Sequence, residues 1–297
     1  MTPGRLFDPR DPRDFQIAVL TGLLGYGILA LDFEVDALTS GTIISISLLT
    51  QAACSRWFAL PRFDPKSPLI SALSLCLLLR TDDPWVAALS GAIAVGSKFL
   101  IRWRGKHLFN PSAFALVVLI VLTDRAWVSA GQWGSAALFA YLVAGMGGLV
   151  VHRAARSDVT LAFLMSAAAL LFTRALWLGD PLTIPWHQLQ SGSLLLFAFH
   201  MISDPKTTPD SRAGRIVFAA LVALCGTFVQ FGLFRQNGLL YALIAAGTVV
   251  PLIDRLLPVR RYRRTAAVRS AMWHGLGPTS VRAPLTIPST LNDRRLT

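Results

Sequence analysis

The sequence predicts an all-α fold, a polytopic bundle of transmembrane helices. Of its 297 residues, 54% are hydrophobic and only 15% are Asp, Glu, Lys or Arg, whereas a soluble domain has about 25% charged residues. Several long runs are almost uncharged, and about 20 such residues cross a hydrocarbon core of roughly 30 Å as a helix. The composition excludes intrinsic disorder and disfavours an ordinary soluble enzyme.

Ten apolar segments account for most of the chain. Those long enough to cross a bilayer are 15–31, 38–54, 84–101, 134–151, 159–178, 214–234 and 238–257. The three shorter ones are 68–79, 111–122 and 190–202. Segments of this length are typical of re-entrant or broken helices that line a cavity, and the alternative is a buried or tilted helix.

Lys and Arg residues are concentrated in every second loop. If the N-terminus is inside, the outer loops contain only Arg80, Arg125, Arg174 and Arg235. We therefore expect a multi-pass protein of the plasma or inner membrane with both termini in the cytoplasm. The predicted domains are a cytoplasmic tail (1–14), a transmembrane domain (15–257) and a basic, disordered tail (258–297). The basic tail is expected to contact anionic lipid rather than nucleic acid.

Two short segments have similar sequences. Ser71–Trp85 and Ser191–Lys206 both begin with Ser, continue as a short apolar run and end in Thr or Ser, then Asp, then Pro. Each is the third of five segments in its half of the chain. The sequence therefore predicts inverted five-segment repeats over about 15–122 and 134–257, an arrangement that places a ligand site where the repeats meet.

Two polar loops, 98–114 and 200–215, are candidate parts of one binding site. Pro205 and Pro209 prevent a continuous helix in the second loop, and the helix that follows adds N–H donors and a partial positive charge. Such a set suits an anion or a polar ring system. The candidate binding residues are Lys106, Asn110, Ser203, Asp204, Lys206, Thr207, Thr208 and Arg215. The alternatives are a capped cytoplasmic turn for the second loop and a simple helix start at Asn110.

Other polar residues are given structural interpretations. Neither a metal site nor a catalytic residue is predicted, since the three cysteines lie in apolar runs and are too few for an iron–sulfur cluster. His200 is interpreted as a packed histidine, and Asp254 with Arg255 as an interfacial ion pair. The acidic residues of the outer loops would form either an acidic vestibule or solvated loops. They are Asp32, Glu34, Asp36, Asp82 and Asp83.

Three stretches resemble one family of membrane proteins. Residues 105–115 (GKHLFNPSAFA) resemble its GKNxFNPAA stretch, and residues 202–218 (ISDPKTTPDSRAGRIVF) resemble its ATDPVTSPxTxxGRxxFG stretch. Residues 73–85 (LSLCLLLRTDDPW) resemble LLLPPxxPWW. This is the RnfD/NqrB family, whose members are membrane subunits of the Rnf electron-transport complex and of the sodium-translocating NADH:quinone reductase. The sequence of 202–218 is most similar to that of the family's short RnfD-like branch, which includes enediyne-biosynthesis-associated membrane proteins.

The resemblance implies an inverted-repeat bundle, related to urea and ammonia channels, that carries flavin and passes electrons towards quinone with coupled ion movement. The family's covalent FMN is attached to an S-G-A-T motif, which is absent between Pro111 and Ser203, so a noncovalent flavin (FMN or riboflavin) or quinone is expected instead. Other membrane redox subunits would be the partners, and the chain would not be catalytic alone. The alternative is a cofactor-free channel or transporter for a small solute.

Overall fold

The first half of the chain consists of five consecutive helices joined by short loops. The computed structural model describes residues 11–30, 36–128, 145–152 and 155–258. The five helices are α1 (Pro12–Ala30), α2 (Ala37–Trp57), α3 (Lys66–Leu78), α4 (Pro84–Leu100) and α5 (Pro111–Thr123). Their starts follow local rules: Asp36, Asp83 and Asn110 each accept a hydrogen bond from a backbone N–H of the first helical turn.

The second half also consists of helices, and two of them continue into a π-helical turn. Residues 145–152 are helical. After them come α6 (Ser157–Leu178), α7 (Thr183–Leu189), α8 (Gly192–Leu196), α9 (Arg212–Thr227) and α10 (Gly238–Leu256). A π-turn extends α8 over Phe197–Met201, and another extends α9 over Phe228–Gly232. The sequence did not predict α7 or either π-turn.

The predicted all-α class is confirmed for the part of the chain that the structure describes. The exceptions there are two short antiparallel ladders, β1 (Leu79–Arg80) with β4 (Trp127–Val128) and β2 (Arg102–Trp103) with β3 (Lys106–His107). Within the same ranges, four helices are long and apolar enough to cross a membrane. They are Ala37–Trp57, Ser157–Leu178, Arg212–Gly232 and Gly238–Leu256.

The three segments predicted to be short are short helices. Both α3 and α5 have 13 residues, about 20 Å at 1.5 Å per residue, which is less than the hydrocarbon core. The third is α8 with its π-turn, Gly192–Met201. Nearly every side chain from Ser71 to Arg80 is buried, as are those of residues 195–203 except Phe199. The segments 71–80 and 195–203 are therefore among the most buried parts of the described chain.

Several predictions fall wholly or partly outside the described residues. These are the tails at 1–14 and 258–297, the apolar segment 134–151, and the acidic residues Asp32 and Glu34. The domain limits therefore stay a prediction.

One close helix contact gives a direct test of the packing. A Cβ atom on Gly91 of α4 would lie 2.8 Å from the Ser47 Oγ and 2.9 Å from the Ile43 carbonyl oxygen of α2, whereas a Cβ on Gly96 would meet nothing within 4 Å. Gly→Ala in a helix gains about 1 kcal/mol where space is open, and overpacking costs about 1–3 kcal/mol. We expect Gly91→Ala to unfold at lower denaturant concentration than the parent, and Gly96→Ala at an equal or higher one. Equal midpoints for the two variants would contradict this packing.

Candidate functional site

The loop before α5 and the turn before α9 meet at one end of the bundle. The Lys106 Nζ lies 2.6 Å from Asp210 Oδ1 and 3.1 Å from Asp254 Oδ2, and it donates a hydrogen bond of 3.2 Å to the Thr208 carbonyl oxygen. Asp254 also accepts a 2.8 Å hydrogen bond from the Asp210 N–H. The two candidate loops are therefore joined through one lysine and two carboxylates. The interpretation of Asp254 with Arg255 as an ion pair is wrong, because Asp254 pairs with Lys106.

Asn110 makes the second connection between the same loops. Its Oδ1 accepts a 3.1 Å hydrogen bond from the Ala113 N–H, which caps α5, and its Nδ2 donates one of 3.2 Å to the Met201 carbonyl oxygen. The side chain is only 7% exposed. Both the carbonyl and the amino group of this amide are thus engaged, and Asn110 is at once a helix cap and a link between the two halves.

The turn between Ser203 and Thr208 is built around Asp204. Its carbonyl oxygen accepts hydrogen bonds from the backbone N–H groups and the hydroxyl groups of Thr207 and Thr208. Its carboxylate accepts a 2.9 Å hydrogen bond from the Lys206 N–H. Ser203 donates its hydroxyl hydrogen to the Phe199 carbonyl oxygen, so these polar groups hold the turn itself. The hydroxyl oxygens keep lone pairs that can accept further hydrogen bonds.

Arg215 is engaged with another helix. Its guanidinium donates to both carboxylate oxygens of Asp158 in the first turn of α6, at 2.6–3.0 Å. It also donates a 2.8 Å hydrogen bond to the Asp210 carbonyl oxygen. The two paired side chains are 12% and 16% exposed. The structure therefore places Arg215 between α6 and the turn before α9.

Lys206 has no ion pair within the described ranges, unlike Lys106 and Arg215, and its side chain is exposed. An anionic group would thus meet Lys206 at the rim of the site, while Lys106 and Arg215 are already paired with carboxylates. No set of three or more His, Cys, Asp or Glu side chains is placed to hold a metal ion in the described part of the chain.

Two buried residues near Lys206 were absent from the predicted set. Lys98, 5% exposed, donates hydrogen bonds of 2.8 and 3.1 Å to the backbone oxygen and hydroxyl of Ser67 in the first turn of α3. His107, 8% exposed, has a buried Nδ1 with no hydrogen-bond partner among the described residues. In the sequence, Lys98 stands inside an apolar run and His107 stands beside Lys106, and neither position alone indicates that the side chain is buried.

Burial lowers the pKa of His107 to about 3, and the positive charges of Lys206, Arg102 and Lys98 act in the same direction. An unfolded histidine titrates near 6.5, so between about 6.5 and 3 the unfolded chain binds the extra proton. Stability from this residue is present above about 6.5 and is lost as the pH falls towards 3, by at most about 1.4 kcal/mol per pH unit. We expect His107→Gln to flatten the pH dependence of thermal unfolding between pH values of about 6.5 and 4. The exposed His187 provides the control, His187→Gln; identical slopes in both variants would contradict the prediction.

At the other end of the bundle, acidic residues of the loops that the sequence predicts to be outer loops surround an open cavity of about 440 Å³. Its lining residues are Asp82, Asp83, Pro84, Asp124, Arg125 and Trp127. Arg125 binds the Asp83 carboxylate at 2.7 Å. The hydrogen bond from Arg125 lowers the pKa of Asp83, and the Trp85 N–H adds to this effect. Asp36 caps α2. The cavity is therefore acidic but partly neutralised.

The apolar helices and their buried short segments define a multi-pass membrane protein. Residues 122–263 match the model of the NQR2, RnfD, RnfE family. The D subunit of the ion-translocating oxidoreductase complex from Escherichia coli O1:K1 / APEC is 31% identical over 140 residues, 47% of this chain and 35% of that protein. The corresponding D subunit of Citrobacter koseri is 32% identical over 143 residues, 48% of this chain and 38% of that protein.

These matches support the resemblance to the RnfD/NqrB family over residues 122–263, the range that contains the stretch at 202–218. The chain spans little more than a third of the length of the curated relatives that it matches. The matched range includes the turn at 203–210, Arg215 and Asp254, and it excludes Lys106 and Asn110.

Proposed function

We propose that the chain is an RnfD-like integral-membrane component of an ion-translocating oxidoreductase complex, which exchanges electrons with partner membrane subunits. One observation carries this function: the family match contains the turn and the carboxylate that bind Lys106. The matched relatives are named as the D subunit of such a complex. Partner subunits are needed as electron donors, because the three cysteines of this sequence cannot supply a four-cysteine cluster.

In this function the chain would bind a flavin or quinone noncovalently at the rim of the site. When bound, such a group supplies reversible electron transfer. The chain would contribute the Lys206 ammonium, which balances the negative charge of a phosphate or a reduced ring. The hydroxyl oxygens of Thr207 and Thr208 and the Asp204 turn would fix the position of that lysine. Lys106, Arg215 and Asn110 would act as positioning residues, since they hold the two loops together.

An inverted repeat with cytoplasmic termini is the architecture that we propose for this function. Within each half the second segment packs on the fourth and the fourth on the fifth: α2 on α4 and α4 on α5, then α6 on α9 and α9 on α10. The fifth segment of each half follows an asparagine, Asn110 or Asn237. The contact of Lys106 with Asp210 joins two loops predicted to lie on the same side, which supports the proposed alternation of the segments across the membrane.

The test is the visible absorption of the protein after gentle purification in detergent, before and after acid precipitation. We expect flavin bands that move to the supernatant, and less released flavin from Lys206→Gln than from Arg235→Gln, an exposed arginine before α10. Flavin that stays with the precipitate would contradict noncovalent binding. Colourless protein without extractable quinone would overturn the cofactor proposal.

A cofactor-free channel for a small solute is the second candidate. It is favoured by the internal pairing of Lys106 and Arg215, which leaves neither of these two candidate charges free for an anionic cofactor. The open acidic cavity around Asp82 and Asp124 is consistent with a pore entrance. Stopped-flow measurement of urea entry into liposomes distinguishes the two candidates: rapid entry into liposomes containing colourless protein supports the channel, and entry at the rate of empty liposomes excludes a urea channel.

A further inference from the structure

A group of aromatic rings and arginines lies at the ends of α2 and α4 and on the β2–β3 hairpin. The rings of Phe58 and Phe99 stack with centroids 5.6 Å apart, and the Arg102 guanidinium carbon lies 5.8 Å from the Phe99 centroid. Trp103 has two such neighbours, Arg104 at 6.0 Å and Arg255 at 5.7 Å. We call these six residues the aromatic–arginine patch. They are Phe58, Phe99, Arg102, Trp103, Arg104 and Arg255.

The three arginines of the patch have no carboxylate partner within the described ranges, although other cations of the same region do. Lys66 binds Asp11 and Asp14, and Lys106 binds Asp210 and Asp254. The carboxylate next to Arg255 in sequence is therefore already engaged with Lys106. All three patch arginines are exposed. The patch thus presents uncompensated positive charge on the surface of the molecule.

Large apolar side chains are exposed beside this charge. Trp57 is 86% exposed, Leu100 77%, and Phe58 and Trp103 47% and 42%. These side chains stand at or beyond the last turns of α2 and α4, where apolar helix surface gives way to charged loops. Tryptophan and tyrosine are enriched at the membrane–water interface, because their apolar bodies face lipid while their polar edges face the headgroups.

We infer that the aromatic–arginine patch is a binding site for the headgroup phosphate of an anionic phospholipid. Guanidinium groups are planar donors that match phosphate oxygens bidentately, and the cation–π attraction of the neighbouring rings favours keeping them at this surface. Leu100 and Trp57 would contact the upper part of the acyl chains. The site is distinct from the predicted lipid contact of the basic tail, and it does not depend on whether the protein binds flavin.

A lipid fits this patch better than an acidic protein does. The charged groups lie directly next to exposed apolar ends of membrane helices, so an occupant must offer a phosphate and a hydrocarbon within one small molecule. An acidic protein surface would leave Leu100 and Trp57 uncovered on the lipid side. Each arginine close to an anionic bilayer surface contributes about 1 kcal/mol.

The experiment measures phosphatidylglycerol binding to the full chain in neutral detergent, by titration with native mass spectrometry, with phosphatidylcholine as the uncharged reference. The test variant combines Arg102→Gln, Arg104→Gln and Arg255→Gln. Its matched control combines Arg62→Gln, Arg212→Gln and Arg235→Gln, three exposed arginines with no ion pair and no ring beneath them in the described chain. Both variants lose the same charge, and surface changes of this kind leave folding intact.

We expect the test variant to bind phosphatidylglycerol about a hundredfold more weakly than the parent, and the control variant to stay within about threefold of the parent. Equal losses in the two variants would overturn the site, because binding would then follow net charge alone. Equal affinity of the parent for both lipids would overturn it as well. Retention of an acidic partner protein on the patch, with phosphatidylglycerol unable to displace it, would replace the lipid by a protein.

Discussion

Arg215→Gln is expected to lower the free energy of unfolding by about 3 kcal/mol, the lower end of the range for removing one partner of a largely buried ion pair. Arg215 binds both oxygens of Asp158 and the Asp210 carbonyl oxygen, so its loss leaves a carboxylate and a carbonyl without their donor. The midpoint of denaturant-induced unfolding in detergent measures the effect. Arg215→Lys keeps the charge but cannot reproduce the fork of donors, and an intermediate loss is expected.

A double-mutant cycle separates the ion pair from other effects of the substitution. Asp158→Asn alone should cost nearly as much as Arg215→Gln, while the double variant should cost clearly less than the sum of the two. Strict additivity, or a loss below about 0.5 kcal/mol for Arg215→Gln, would show that the pair does not join α6 to the turn before α9.

Asn110→Ala is expected to destabilise the protein by about 2–4 kcal/mol, and this cost has two sources. Removal of the cap of α5 costs about 1 kcal/mol, and the unsatisfied Met201 carbonyl oxygen costs a further 1–3 kcal/mol. Asn110→Ser keeps a capping oxygen but removes the amide donor, so it should lose the second contribution only. Asp36→Ala removes an exposed cap of α2 and serves as the matched control.

The same denaturation experiment decides whether Asn110 stabilises the protein only as the cap of α5 or also through its hydrogen bond to Met201. If Asn110→Ala and Asp36→Ala cost equal amounts, Asn110 is a helix cap and its contact with Met201 contributes nothing. If Asn110→Ser loses most of the stability that Asn110→Ala loses, the hydrogen bond to Met201 accounts for most of the effect. The second result is expected, because the bond is buried and joins residues 91 positions apart.

Local features of the sequence predicted most of the helices. Asp83 before Pro84 and Asn110 before Pro111 mark helix starts, and α4 and α5 begin at those prolines. Low charge and segment length likewise distinguished the short α3 from the long α2. Helix α7 was missed because its seven residues follow no apolar period. The π-turns were missed because their hydrogen-bond pattern depends on the packing around them, which no local rule encodes.

The sequence predicted which loops form the candidate site, but it did not predict which side chains contact one another there. Lys106 and the 203–215 turn do meet, as the common side of their loops implied. The partners of the charged residues could not be predicted, since Lys106 and Asp254 are separated by 148 positions and Arg215 and Asp158 by 57. Asp254 shows the difficulty: its sequence neighbour is Arg255, yet the fold brings Lys106 to it and turns Arg255 towards Trp103.

The π-turn at Phe197–Met201 has a consequence for how related sequences align. A π-turn accommodates one residue more than the α-helical path would, and each residue advances an α-helix by about 100°. Deleting one residue there would leave an uninterrupted helix of almost unchanged composition, but it would rotate the following residues by that angle and carry the Met201 carbonyl oxygen away from Asn110. Two related sequences that differ by a one-residue gap at this point therefore have different side chains facing inwards after the gap, even where the flanking residues are identical.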